Sequence, residues 1–241
     1  MGTMEDFVHR ALVTGGTKGI GRAIAAAILA NGGSVAVTGR AQKDADEAAR
    51  ALGKESGQPS RAIGLALDVR DRKAVDAAVA DASSRLGGLN VLVNNAGVGV
   101  FKDAASMSDD EWDRVIGTNL TGVFYCTRAA LPMLRRDGGW IINIASLAGR
   151  NYFATAGAYC ATKAGLVAFS ESVMLEEREK NVRVSVVMPG SVATDFSGPH
   201  ERKDDSWKLR PEDVAEVVID LLRHPGRSLP SKVEIRPSRT K

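Results

Sequence analysis

Tyr159 and Lys163 stand four residues apart in Tyr-Cys-Ala-Thr-Lys, inside an alanine- and glycine-rich stretch that reads as helix. Residues at that spacing share a helix face. One reading is a packing tyrosine one turn from a solvated lysine. The other is a phenol made acidic by a cation. A free tyrosine has a pKa of about 10, and bringing it near 7 needs about 4 kcal/mol of preference for the phenolate. A cation about 4 Å away supplies about that much at an effective dielectric near 20. A lysine is therefore an adequate partner for a tyrosine that must transfer a proton.

A second candidate lies near the N-terminus. Thr14-Gly15-Gly16-Thr17-Lys18-Gly19-Ile20-Gly21 follows the strand-like run Ala11-Leu12-Val13 and opens a helix. Glycines let the chain turn sharply and let a pyrophosphate approach the backbone, and the helix start offers free N–H groups and a positive dipole end. An ordinary glycine-rich turn is the alternative. The strand before and the helix after favour a dinucleotide site. After the second strand a carboxylate would read the ribose diol of NAD. The chain has Thr38-Gly39-Arg40 there. Arg40, with Lys18 able to approach, suits a 2′-phosphate, so NADP(H) is expected over NAD(H) unless Arg40 merely faces solvent.

The elements that must position these residues alternate. Strands are expected at 11–13, 34–37, 62–67, 91–93, 140–144, 183–188 and 232–235. Helices are expected at 19–31, 43–56, a run ending at Gly87-Gly88 with Val75, Val79, Ala82 and Leu86 on one stripe, 109–135, 159–180 and 211–223. Ser108 and Glu111 form a capping box for the long helix, Pro132 kinks or ends it, and Pro211 opens the last helix. Apolar runs such as Val-Leu-Val and Trp-Ile-Ile-Asn-Ile suit strands buried on both faces. The expectation is an α/β fold over residues 1–241: one domain, a doubly wound, seven-stranded parallel sheet with helices on both faces.

Composition narrows the function classes. The 241 residues are 44% hydrophobic and 25% charged, enough for a sizeable core. A net charge of +3, dispersed along the chain, points to no nucleic acid and no membrane surface. The basic end Arg236–Lys241 reads as a solvated terminus. Cys126 and Cys160 form no CxxC pair and read as buried packing thiols, while His9, His200 and His224 are scattered, so no metal site is expected. Met-Gly-Thr-Met-Glu-Asp-Phe-Val-His-Arg has no apolar core and Asp6 breaks a myristoylation signal, so a cytoplasmic protein is expected.

With these motifs in order, the chain resembles the classical short-chain dehydrogenase/reductases over nearly its full length. The Thr-Gly-x-x-x-Gly-x-Gly spacing at 14–21 is that family's cofactor motif. The resemblance assigns Asp68-Val69 to the adenine contact. It matches Asn94-Asn95-Ala96-Gly97 to the turn after the fourth strand. Pro189, Gly190, Val192 and Thr194 fall to the nicotinamide side. It implies a Rossmann fold and a catalytic tetrad of Asn119, Ser146, Tyr159 and Lys163, with Ser146 thirteen residues before the tyrosine. In that scheme Tyr159 is the general acid. Ser146 hydrogen-bonds the substrate oxygen, Lys163 binds the nicotinamide ribose, and Asn119 orders a relaying water.

The chain departs from the family's fatty-acid reductases at its end, Val233-Glu234-Ile235-Arg236-Pro237, and in its short loop after Thr194. The end looks more like the family's small-carbonyl and hydroxy-acid reductases. The expected activity is NADPH-dependent interconversion of a small ketone, diketone or aldehyde with its alcohol. A 3-oxoacyl-thioester reductase or hydroxy-acid dehydrogenase is the alternative, and a catalytically silent NADP(H) sensor is the reading from another class. The resemblance also implies a homodimer or homotetramer through the helices at 109–135 and 159–180. Phe196 and Trp207, flanking the polar stretch 197–208, either line the substrate pocket or sit on a plain surface loop, and 151–157 is the other expected rim. Trp112 and Trp140 read as core or interface.

Overall fold

The computed structural model describes residues 8–194, 196 and 205–239. His200 and positions 197–204 of the polar stretch, the first seven residues and the last two therefore lie outside the described residues.

Seven parallel strands form one sheet: β1 (Arg10–Val13), β2 (Ser34–Gly39), β3 (Ala62–Ala66), β4 (Val91–Asn94), β5 (Gly139–Ile144), β6 (Val182–Pro189) and β7 (Lys232–Ile235). Their order is β3-β2-β1-β4-β5-β6-β7. The chain leaves β3 at one edge and re-enters beside β1 as β4, so the order reverses between β1 and β4. A crevice at such a switch point is where open α/β sheets bind ligands.

The connecting helices are α1 (Gly19–Ala30), α2 (Gln42–Glu55), α3 (Arg72–Leu86), α4 (Asp109–Ile116), α5 (Gly122–Asp137), α6 (Gly157–Glu177) and α7 (Pro211–Leu222). Successive strand residues point to opposite faces, and both faces are covered. Ala11, Val13, Val91 and Val93 join Ile24 and Ile28 of α1 and Val214 and Val218 of α7. Leu12, Leu92 and Ile141 face the other way, onto Val75 and Val79 of α3 and Cys126, Ala130 and Leu134 of α5. Register locks this alternation, with Leu12 beside Leu92 and Leu92 beside Ile141.

Local signals behave as their chemistry requires. Ser108 Oγ accepts from Glu111 N at 3.2 Å, and Glu111 Oε2 accepts from Ser108 N at 3.1 Å, closing the capping box of α4. Asp71 caps α3 through Lys73 N and Ala74 N, and left-handed Gly87 ends it.

One expectation needs correction and two are narrowed. The helix at 109–135 is two helices joined by a π turn, Gly117–Thr121, in which Gly122 N–H reaches back to Gly117 O. Pro132 does not end α5, which continues to Asp137. Trp112, expected in the core or at an interface, is 45% exposed and so lies outside the core that takes Trp140. Smaller shifts of one to three residues move several ends: α6 starts at Gly157 and stops at Glu177, followed by a 3₁₀ turn at Arg178–Lys180. Leu86, at the end of its stripe, is only half-buried. No helix among the described residues is long and apolar enough to cross a membrane.

Candidate active site

β5 ends at Ile144, and Ser146 starts a 3₁₀ turn just beyond it. Its hydroxyl accepts from Ala148 N at 3.1 Å and lies 3.5 Å from Pro189 O, so the ends of β5 and β6 hold it. α6 then returns Tyr159 and Lys163 to the same edge. The Ser146 hydroxyl stands near enough to the Tyr159 phenol to favour its ionised form. Lys163 is buried, donates from Nζ to Ile144 O at 2.9 Å, and has Nζ 5.8 Å from the Tyr159 ring centroid.

Burial governs both ionisations. Desolvation pushes the Tyr159 phenol above its ordinary value, and the nearby Ser146 hydroxyl only partly opposes it. Desolvation also lowers the Lys163 ammonium to about 8. The protein's own groups therefore do not bring the phenol to neutrality. The expectation built on Lys163 alone took the charge and left out the cost of enclosing it.

Asn119 sits in the π turn and is buried. Its Oδ1 accepts from Val98 N at 2.8 Å, and its Nδ2 donates to Val98 O at 2.9 Å and Thr162 Oγ1 at 3.2 Å. Thr162 Oγ1 in turn donates to Tyr159 O at 2.8 Å. The amide thus ties the segment after β4 to the turn of α6 that carries Tyr159. Its side-chain donors and its oxygen are already engaged.

At the other end of the edge, Gly15 and Gly19 take φ values of +63° and +56°, which favour glycine. A Cβ on Gly21 would collide with the Asn95 amide. Asn95 Nδ2 donates to Thr14 O and Gly15 O at 3.0 and 3.1 Å, clamping the turn 14–21 to the end of β4. Thr14 Oγ1 accepts from both Asn95 N and Ala96 N at 3.0 Å. Sequence reading passed over Thr14 as a clamp, although a hydroxyl closing a strand was the available signal. No side chain caps α1, and its first turn holds no carboxylate, so the N–H groups opened by Thr17, Lys18, Gly19 and Ile20 suit a separate anion. Thr194 brings its methyl to within 3.5 Å of where a Gly19 Cβ would stand, while Gly190 lies against Leu147 and Pro237 and Val192 pairs with Leu209.

Arg40 is exposed after β2 and close enough to Asp68 to draw its carboxyl down. The larger cause there is Arg70, which grips Asp68 with contacts of 2.6 to 3.1 Å and holds the carboxyl below its usual range. Sequence reading missed this pair. Val69 is buried and packs against Gly122. Gly97 lies beside Asn119 and Phe196.

Phe196 meets Tyr159, with ring centroids 5.7 Å apart, and Trp207 packs beneath its neighbour Lys208. A groove of about 590 Å³ runs between α1 and α7 from Gly19 to Arg223 and contains none of the four catalytic candidates. No cluster of metal-ligating side chains occurs among the described residues.

The fold and this edge define an oxidoreductase of the dinucleotide-binding kind. A family model described as short chain dehydrogenase matches residues 9–205, and the chain belongs to that family. An "uncharacterized oxidoreductase" of Staphylococcus aureus is 32% identical over 228 residues, covering 94% of this chain and 96% of that protein. A 3-oxoacyl-[acyl-carrier-protein] reductase of Haemophilus influenzae is 37% identical over 188 residues, 78% of this chain and 75% of its own. Among solved structures, an alcohol dehydrogenase of Thermococcus sibiricus complexed with 5-hydroxy-NADP superposes with a TM-score of 0.89 at 29% identity, covering 98% and 99% of the two chains. A metagenomic short-chain oxidoreductase in complex with NADP gives 0.83 at 35% identity, covering 96% and 98%.

Proposed function

We propose that the protein interconverts a small carbonyl compound and its alcohol with NADP(H), using Asn119, Ser146, Tyr159 and Lys163. The observation that carries this reading is the buried Lys163 ammonium 5.8 Å from the ring of Tyr159, with Ser146 close enough to the phenol to favour its ionised form. Two structural neighbours hold NADP or a derivative, which supports the cofactor reading.

The residues that would hold the cofactor fit it. The uncapped, carboxylate-free start of α1 suits a pyrophosphate, exposed Arg40 and Lys18 suit a 2′-phosphate, and Asp68-Val69 and Asn95–Gly97 flank the crevice between them. NADPH, when bound, supplies the hydride. Tyr159 gives its phenolic proton to the substrate oxygen, and Ser146 donates a hydrogen bond to the same oxygen as charge develops there. Lys163 favours the phenolate that remains. Asn119 fixes the turn of α6 through Thr162 and Val98. With both side-chain donors engaged, a relaying water would bond to the second lone pair of Oδ1 or to the Asn119 backbone.

Purified protein with NADPH or NADH and a panel of ketones, diketones and aldehydes tests this by cofactor oxidation. Turnover is expected with NADPH, weakly with NADH, and not in Tyr159→Phe, which still binds NADPH. Full turnover in that variant removes the assignment. An acetoacetyl thioester belongs in the panel, because the Haemophilus relative favours the thioester alternative. NADPH binding with no turnover of any substrate would support the sensor reading. The expected homo-oligomer would use the surface of α5 and α6, where Phe124 and Leu175 are exposed.

A further inference from the structure

Three loops that are far apart in sequence gather phenylalanines around one tyrosine, two of them touching its ring and the third stacked on one of those two. Phe101, after β4, lies 5.6 Å from the Tyr159 ring at an interplanar angle of 62°. Phe196, after β6, lies 5.7 Å away at 55°. Phe153, between β5 and α6, stacks on Phe101 at 6.1 Å and 28°. A Cβ on Gly99 would stand 2.9 Å from both Phe101 and Phe196, so the two rings converge on one point.

These rings remain 38%, 40% and 53% exposed for Phe101, Phe196 and Phe153. Apolar surface gathered at a reactive group and left open to water marks a ligand site. Charged neighbours turn elsewhere: Lys102 pairs with Glu111 at 2.6 Å and Arg150 with Glu234 at 2.9 Å. The described rim therefore offers flat apolar faces and no unpaired cation for a carboxylate or phosphate.

We propose that Phe101, Phe153 and Phe196 form a clamp for the aromatic ring of an uncharged aryl ketone, holding its carbonyl against Tyr159 and Ser146. This rests on the carbonyl-reductase reading. The reaction balances as hydride to the carbonyl carbon from NADPH and the proton to oxygen from Tyr159, giving the benzylic alcohol and NADP⁺. An added ring in the offset or edge geometry of these pairs gains about threefold to tenfold in binding per contact.

The test compares kcat/KM for acetophenone, cyclohexyl methyl ketone and an acetoacetyl thioester. It uses wild type, Phe101→Leu and Phe196→Leu, with circular dichroism to confirm folding. In parallel, saturation-transfer NMR measures 1-phenylethanol against 1-cyclohexylethanol on the protein with NADP⁺. Acetophenone should exceed the cyclohexyl ketone by about tenfold or more, and each leucine should cut that ratio about threefold to tenfold. A ratio within about twofold in wild type, or one unchanged in both variants, overturns the clamp, as does a thioester preferred to both ketones. If no carbonyl turns over, the reductase reading fails, and NMR alone decides the clamp. Tighter binding of the aryl alcohol, weakened by Phe196→Leu, upholds it; equal binding of the two alcohols overturns it.

Discussion

Asn119 closes on both backbone polar groups of Val98: its Oδ1 accepts from the N–H at 2.8 Å and its Nδ2 donates to the C=O at 2.9 Å. One side chain thus imitates a strand pairing where no strand exists. The π turn at Gly117–Thr121 sets the amide at that depth.

Asn119→Ala leaves the Val98 N–H and C=O without these partners. Unsatisfied groups of this kind cost about 2–4 kcal/mol together. For a chain of this size the melting temperature should fall by about 5–15 °C, with most activity lost. Thermal melts followed by circular dichroism check this. A shift below about 2 °C means the clamp does not hold the segment.

The cofactor-free protein should show no Tyr159 phenolate at neutral pH, because burial raises the phenol and outweighs the nearby Ser146 hydroxyl. The chain has three tyrosines, so the ultraviolet difference between wild type and Tyr159→Phe isolates this one. Phenolate absorbance is expected only above about pH 10. Its formation between about pH 7 and 8 would show that Lys163 suffices alone.

The strands were legible because parallel strands covered on both faces need continuous apolar runs, as in Val91–Val93 and Trp140–Ile144. The glycine turn and the Tyr159–Lys163 spacing were legible because backbone geometry dictates both. The π turn was not, since one extra residue in a helical run leaves no period of its own. Nor was Arg70 on Asp68, a surface pairing that any exposed arginine could decline. The direction of the Tyr159 shift needs enclosure, which spacing does not carry. The meeting of Phe101, Phe153 and Phe196 needs three loops brought together by the sheet.

Lys163 should weaken the fold. Its folded pKa of about 8 lies below the unfolded value of 10.5, so the neutral form suits the interior better. The penalty, about 3 kcal/mol, is full below pH 8, shrinks as pH rises from there, and vanishes once the unfolded lysine is also neutral. Cys126, raised to about 12, has the opposite slope, since the unfolded thiol ionises first as pH rises. Comparing wild type with Lys163→Met cancels that contribution. Urea unfolding should show the gain in stability from Lys163→Met largest at pH 7 and smallest above pH 10.5. A gap independent of pH would mean that burial leaves the Lys163 pKa at its unfolded value.

Arg40 should set the choice of cofactor. Asp68, the nearby acid, is held by Arg70, so it is poorly placed to take a ribose diol, while Arg40 is exposed and carries a full positive charge. Charge-assisted contacts to a phosphate contribute about 1.5–3 kcal/mol, or about 10- to 100-fold in affinity. Arg40→Asp should raise the Kd for NADPH by that factor and leave NADH within about threefold or tighten it. NADPH fluorescence titrations at two salt concentrations read both effects, because losing a phosphate contact also flattens the salt dependence. Equal weakening of both cofactors would mean that Arg40 supports the loop rather than reading the phosphate.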